Sequence, residues 1–359
     1  MPMALNCCMS SAKCRRSGAG LAALGLLVLM ACAPVPRYNA VYLWKADVAW
    51  TPTDTALLAR DGVSTVYLHV GDWDVSAGRD LGEKLTMKHP LPPQFSVIPV
   101  LYLTVATLNS WAQAPLTSQG SEARARACLS IFDSFPRWTR SAHELQIDAD
   151  WNPSNRDAYF AFLREFKTLL KPGDTLSVTI RLSQYRDRLQ EGVPPADRGV
   201  LLTYGAGDPR DPASRVLDPQ LVAQYVHPGD RYPLPLDVAL PEYGEVRQFN
   251  PFDRLVALTT EPKGLAATAL ELGWPPGLMA WPQRGPGWAL AQRRVTWADL
   301  VWMEGDRALV DAPSPEQDRE VLQCLRRSGS TLGGRIILFA YSRDEWRTAR
   351  HEAFTSALR

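Results

Sequence analysis

Short apolar runs rich in Val, Ile, Leu and Tyr alternate with amphipathic stretches along most of the chain, which is the pattern of β-α units around a parallel sheet. Eight runs stand out: Val41 to Lys45, Thr65 to Val70, Val97 to Leu103, Leu145 to Asp150, Thr175 to Arg181, Val200 to Tyr204, Leu234 to Leu240 and Arg335 to Tyr341. Eight is the strand number of a (β/α)8 TIM barrel, so an α/β fold of that kind is expected. Helical spacing is clearest from Asn155 to Leu170, where Tyr159, Phe162, Leu163, Phe166, Leu169 and Leu170 recur and Lys171-Pro172-Gly173 stops the helix. Further helices are expected over Pro52 to Arg60, Ser121 to Phe135, Pro219 to Tyr225 and Asp344 to Leu358, with a long loop from Asp74 to Gln94. The interval Pro241 to Gly334 between the seventh and eighth runs is far longer than one β-α unit needs, so it carries an insertion. Pro-Gly punctuation such as Gly285-Pro286-Gly287 argues for irregular loops there rather than a separate domain. Its five tryptophans, Trp274, Trp281, Trp288, Trp297 and Trp302, fit either a lid or a small core.

The N-terminus follows a different pattern. Cations Lys13, Arg15 and Arg16 precede an apolar run from Leu21 to Ala31, and Leu29-Met30-Ala31-Cys32 forms a lipobox. The run is eleven residues, short of the ~20 that cross a bilayer as a helix, so it reads as the core of an export leader. The expected division is a bacterial lipoprotein signal peptide over 1–31, a lipidated linker over 32–39 beginning at Cys32, and the barrel over 40–359, with the insertion inside 241–334. Acyl chains on Cys32 would hold the protein on a membrane of the cell envelope. Ala33, where an acidic residue could stand, favours the periplasmic face of the outer membrane over the inner membrane.

Composition adds exclusions. The chain is 46% hydrophobic and 21% charged, a globular balance, and its net charge of +1 gives no footprint for nucleic acid. Outside the leader and Cys32 only Cys128 and Cys324 remain, which could pair or stay as buried thiols. The five histidines are scattered without metal-ligand spacing, so no metal and no cofactor is expected. Gly205-Ala206-Gly207-Asp208-Pro209 is no phosphate loop, and no Gly-x-Ser-x-Gly elbow occurs. A monomer is expected.

A barrel of this kind places its site where strands end and loops begin. Polar and aromatic residues gather there: Asp72 and Trp73, Asp148 and Asp150, Trp151 and Asn152, Arg181, Tyr204, Glu242 and Tyr243, and Tyr341. In the fourth run the period of two sends Gln146, Asp148 and Asp150 to one face and Leu145, Ile147 and Ala149 to the other. The apolar face suits the helical layer, so the polar one points inward, as a structural network or as paired carboxyls that raise each other's pKa. Arg181 either pairs with Asp148 or meets an acidic ligand. Trp44 and Trp50 are expected in the core. Rings at strand ends offer flat faces for a sugar.

The segment Gln146-Ile147-Asp148-Ala149-Asp150-Trp151-Asn152 resembles the fourth-strand motif of glycoside hydrolase family 18, the chitinase-type barrels, in which aspartates at alternate positions lead to a glutamate that protonates the leaving sugar. Leu202-Thr203-Tyr204 resembles that family's sixth-strand element, and Leu240-Pro241-Glu242-Tyr243-Gly244 its seventh. Here Asn152 stands at the acid's position and Gly205 at that of an aspartate after the tyrosine, and Asn cannot donate a proton. Taken whole, the chain beyond the leader looks more like the bacterial envelope family known as domain of unknown function 3142, whose name implies no activity. Many glycosidase barrels place carboxyls at the ends of strands four and seven, about 5.5 Å apart for retention or about 6.5 to 9.5 Å for inversion. On that pattern Asp150 is the acid, Asp148 raises its pKa, and Glu242 is base or nucleophile; Glu242 reads equally well as a solvated loop carboxylate. The expectation is a lipoprotein that acts on or binds a poly- or oligosaccharide in the mouth of the barrel, or a binding or scaffolding protein that has lost the acid.

Overall fold

A computed structural model describes residues 38–45, 49–75, 84–87, 89–260, 264–343, 346 and 350–351. The leader, Cys32 and most of the helix expected over Asp344 to Leu358 lie outside the described residues. Seven parallel strands come first: β1 (Tyr38–Leu43), β2 (Thr65–Trp73), β3 (Ser96–Leu103), β4 (Glu144–Ala149), β5 (Thr175–Arg181), β6 (Arg198–Leu202) and β7 (Leu236–Pro241). The last strand of the fold, β15 (Leu332–Phe339), pairs with β7 on one side and β1 on the other, which closes the ring. All eight apolar runs are therefore barrel strands, and the fold is the (β/α)8 barrel that the pattern predicts.

The connecting helices are α1 (Pro52–Arg60), α2 (Val105–Gln113), α3 (Ser118–Ser134), α4 (Arg156–Leu169), α5 (Leu182–Arg186), α6 (Arg188–Glu191) and α7 (Pro219–Tyr225). Helix α4 forms because Tyr159, Phe162, Leu163 and Phe166 recur on one face, and all four are buried against the strands. Helix α1 starts at Pro52, with Asp54 accepting from the Thr51 backbone N–H and hydroxyl at 2.7 Å each. Two cores result. Outward residues of the strands pack under the helices, while Ala40, Tyr42, Tyr67, Ile98, Val100, Val200, Ala239 and Ile337 fill the barrel. Cys128 and Cys324 are both free thiols, which settles the question their spacing left open.

The insertion corrects one expectation. After β7 come β8 (Glu245–Phe249), β9 (Leu255–Thr260), α8 (Leu265–Leu272), β10 (Leu278–Ala280), β11 (Trp288–Ala291), β12 (Val295–Trp297), β13 (Leu300–Trp302) and β14 (Arg307–Asp311). Five of these strands form an antiparallel sheet ordered β10-β11-β14-β8-β9, with its own core of Val246, Ala266, Ala269, Ala289, Trp302 and Val310. The Pro-Gly punctuation marks the turns between strands of three to six residues, too short to show alternation. In that core Trp274 meets Trp297 edge to face, and Trp297 meets Trp302 at a tilt of 41°. Helix α9 (Pro315–Ser328), also inside the interval, returns the chain to the barrel, capped by Ser314 and ended by Gly329 at φ +79°.

At the N-terminal end of the ring an ionic network on two buried carboxylates plugs the barrel: Arg198 donates to Asp237 at 2.9 Å and Arg335 to Glu144 at 2.7 Å. Gly333 is required there, because a Cβ would collide with the Asp237 carboxylate and the Arg198 guanidinium.

Candidate active site

The opposite end is open. Strand β4 sets Gln146 and Asp148 inward and Leu145, Ile147 and Ala149 into the layer beneath the helices. Tyr42 donates to Gln146 Oε1 at 2.7 Å and, one turn of the pleat higher, Thr179 of β5 donates to Asp148 Oδ1 at 2.5 Å. The Ala149 backbone N–H donates to Thr179 Oγ1 at 3.2 Å, which leaves the hydroxyl proton for Asp148. Above them lies a cavity of about 130 Å³, floored by Asp148 and Asp150 and walled by Tyr42, Trp44, Tyr204 and Phe339.

Trp44 is fixed from behind. Its indole stacks on His69 at 4.4 Å and 14°, while the His69 ring nitrogens meet the Trp44 carbonyl at 3.0 Å and Asp72 at 2.7 Å. On the other side Tyr204 stacks on Phe339 at 5.4 Å, and Tyr243 meets Tyr204 edge-on at 6.1 Å. Burial pushes the Asp148 carboxyl up to about 6; the Thr179 bond and the nearby His69 hold it down, and the charges of Asp150 and Asp72 add to the rise. Burial, followed by the charges of Asp150 and Asp148, pushes the Tyr102 hydroxyl up to about 12. Asp148, which the sequence pattern casts as the neighbour that raises another carboxyl's pKa, is thus itself a raised carboxyl. Arg181 sits with Nε 3.4 Å from Asp150 and donates to the Trp151 carbonyl at 3.0 Å, so its carboxylate partner is Asp150 and not Asp148.

Several expected site residues lie elsewhere. Glu242 is fully buried behind the strand, ion-paired with Arg350 and 3.4 Å from His351, so it cannot act as base or nucleophile in the mouth, nor is it solvated. Its parity explains this: Ala239 lines the barrel, so Leu240 and Glu242 turn outward. Trp151 is out of phase with Asp148 and Asp150 in the same way and is buried against Tyr159 and Phe160. A bulge between His69 and Gly71 resets the phase of β2, so Trp73 packs on Trp111 beneath the helices. Tyr341 is buried too, donating to Asp54 at 2.5 Å. Trp73, Trp151 and Tyr341 are therefore not ligand-facing. Asn152 ends in a turn: its Oδ1 accepts from the Ser154 backbone N–H at 2.9 Å and from the Ser154 hydroxyl at 2.6 Å.

Asp72, Asp148, Asp150, Arg181, Tyr204 and Tyr243 gather about the mouth. The pattern missed Tyr42, Trp44, Thr179, His69 and Phe339. Trp44 was legible, since it shares the inward parity of Ala40 and Tyr42 and lines the cavity rather than the core.

The barrel can be compared with solved structures. It is similar to a chitinase from Rhizomucor miehei, with a TM-score of 0.54 and 10% identity over 90% of this chain and 99% of that one. A second neighbour is the spore cortex-lytic enzyme SleL of Bacillus megaterium QM B1551, with a TM-score of 0.51 and 11% identity over 91% of this chain and 74% of that one. A third is a class V chitinase from Pseudomonas fluorescens Pf-5, with a TM-score of 0.50 and 13% identity over 90% of this chain and all of that one. What these structures share with this chain is the (β/α)8 barrel. At such identities the likeness shows the fold alone. No protein-family model and no curated protein matches the chain. Among the described residues no group of His, Cys, Asp and Glu could hold a metal, and no helix is long and apolar enough to cross a membrane.

Proposed function

We propose that this chain is an envelope lipoprotein that binds an oligosaccharide in the mouth of the barrel without cleaving it. The observation that carries this reading concerns two positions, that of the chitinase-type acid at the end of β4 and that of the expected base or nucleophile after β7. One holds Asn152, an amide spent on a turn, and the other holds Glu242, a carboxylate turned outward onto Arg350. The cavity suits a sugar because aromatic faces, Trp44 and Tyr204 among them, stand beside hydrogen-bonding carboxylates. The similar barrels are named as chitinases and a cortex-lytic enzyme, which supports a polysaccharide as the ligand class. The order of cations, apolar run and lipobox before Cys32 supports lipid anchoring, with the outer membrane favoured by Ala33. Palmitate incorporation that disappears in Cys32→Ser tests the anchor.

Binding to a panel of chitin and peptidoglycan oligosaccharides, measured by calorimetry, is expected without release of reducing ends. Trp44→Ala should weaken it about tenfold or more, through loss of the stacking face. Absence of any glycan binding sinks the proposal. One observation favours hydrolysis instead: a carboxyl held near 6, as in Asp148, can remain protonated close to neutral pH. Reducing ends released by the wild type and lost in Asp148→Asn would establish that reading.

A further inference from the structure

Asp72, Asp148 and Asp150 mark the mouth, whereas the base, where helices end and strands begin, exposes Arg137, Lys171, Arg231, Arg326 and Arg327. These five cations have no ion-pair partner among the described residues. The carboxylates at the base are already engaged: Asp61 by Arg60, Asp133 and Asp174 by Arg140, Asp197 by Lys167 and Asp230 by Arg188. The surplus is local, because without Lys13, Arg15 and Arg16 the chain holds 36 basic against 38 acidic residues, from 39 and 38 in all. At the base, too, is a hollow of about 600 Å³, larger than the cavity of the mouth, whose rim carries Arg137, Arg140, His143 and Lys171.

The tether leads to the same end. Strand β1 begins at Tyr38, at the base, and Cys32 precedes it by six residues, a reach of roughly 20 Å when fully extended. An acyl group on Cys32 therefore holds the base, and not the mouth, within reach of the bilayer. We infer that the cationic base of the barrel docks on anionic phospholipid headgroups of the leaflet that holds Cys32, turning the sugar cleft away from the membrane. This rests on the lipoprotein reading above for its geometry. The chemistry is that of phosphate groups met by a dispersed set of Arg and Lys side chains, and it weakens as salt screens it.

The test uses the lipidated chain, with acylation of Cys32 checked by intact mass, in vesicles of phosphatidylcholine with and without phosphatidylglycerol. A water-soluble amine reagent reports on Lys171 at the base and Lys45 at the mouth. Labelling of Lys171 is expected to slow about fivefold or more in the anionic vesicles, since each basic group near such a surface shifts the balance by roughly that factor. Lys45 should be unaffected, and high salt or the Arg137→Ser/Arg326→Ser/Arg327→Ser variant should abolish the protection. Equal labelling of Lys171 in both vesicles overturns the inference, as does protection of Lys45 instead. Equal protection by inorganic phosphate over neutral vesicles overturns the membrane as the partner. An unmodified Cys32 overturns the anchor alone; pelleting with the anionic vesicles then decides the base, where the triple variant must pellet less than the wild type for the inference to stand.

Discussion

Replacing Arg350 with alanine is expected to cost the protein about 3 to 5 kcal/mol of folding stability, the usual consequence of stranding a buried charge. Arg350 donates to Asp318 of α9 at 2.6 and 2.9 Å, to the Pro241 carbonyl at 3.0 Å and to Glu242, and both carboxylates are fully buried. The truncation removes the guanidinium that bridges two buried carboxylates. Urea denaturation followed by tryptophan fluorescence measures the loss; an unchanged midpoint would mean that Glu242 and Asp318 reach solvent. Glu242→Gln should likewise lower stability while leaving glycan affinity unchanged. Loss of affinity at full stability would return Glu242 to the cleft.

The second large effect concerns Asp148. Its carboxyl lies higher in the folded protein, near 6, than its ordinary 3.8, so folding favours the protonated form. The stabilisation is complete below about 3.8, declines as the pH rises, and is gone above about 6, where the ionised carboxylate is a net burden. Asp148→Asn keeps an oxygen for the Thr179 hydroxyl but cannot ionise. It should therefore match the wild type near pH 4 and exceed it above pH 7 by on the order of 2 kcal/mol, after allowance for the partial exposure of the site. Thermal unfolding at the two pH values reads this difference. A variant less stable than the wild type at pH 7.5 would show that the ionised carboxylate is the form that holds the barrel mouth together.

The barrel was legible because strands buried on both faces become uninterrupted apolar runs, and all eight such runs rose above the background. The inward face of β4 was legible for a related reason, the period of two across Gln146, Asp148 and Asp150. The errors share one cause. Glu242, Trp73, Trp151 and Tyr341 all stand near a strand end, but their direction depends on the count of residues from one that lines the barrel. In β7 that count was available from the sequence, and it turns Glu242 outward. In β2 it was not, since nothing in the local composition announces the bulge after His69. The strands of the insertion are hidden because ones as short as β10, β12 and β13 owe their existence to partners and not to their own three residues.

The pairing of β1 with β15 sets the order in which this protein can form. Ala40 lies beside Ile337 and Val41 beside Leu338, so the first strand waits for nearly the whole chain before its second neighbour exists. Until then the growing chain presents an open, curled sheet with two unsatisfied edges, the form most exposed to misassembly. The antiparallel sheet of the insertion lies wholly between β7 and β15 in the chain, so it can mature before the ring shuts. Truncation near the C-terminus should therefore spare the insertion's fold and leave the barrel unable to seal.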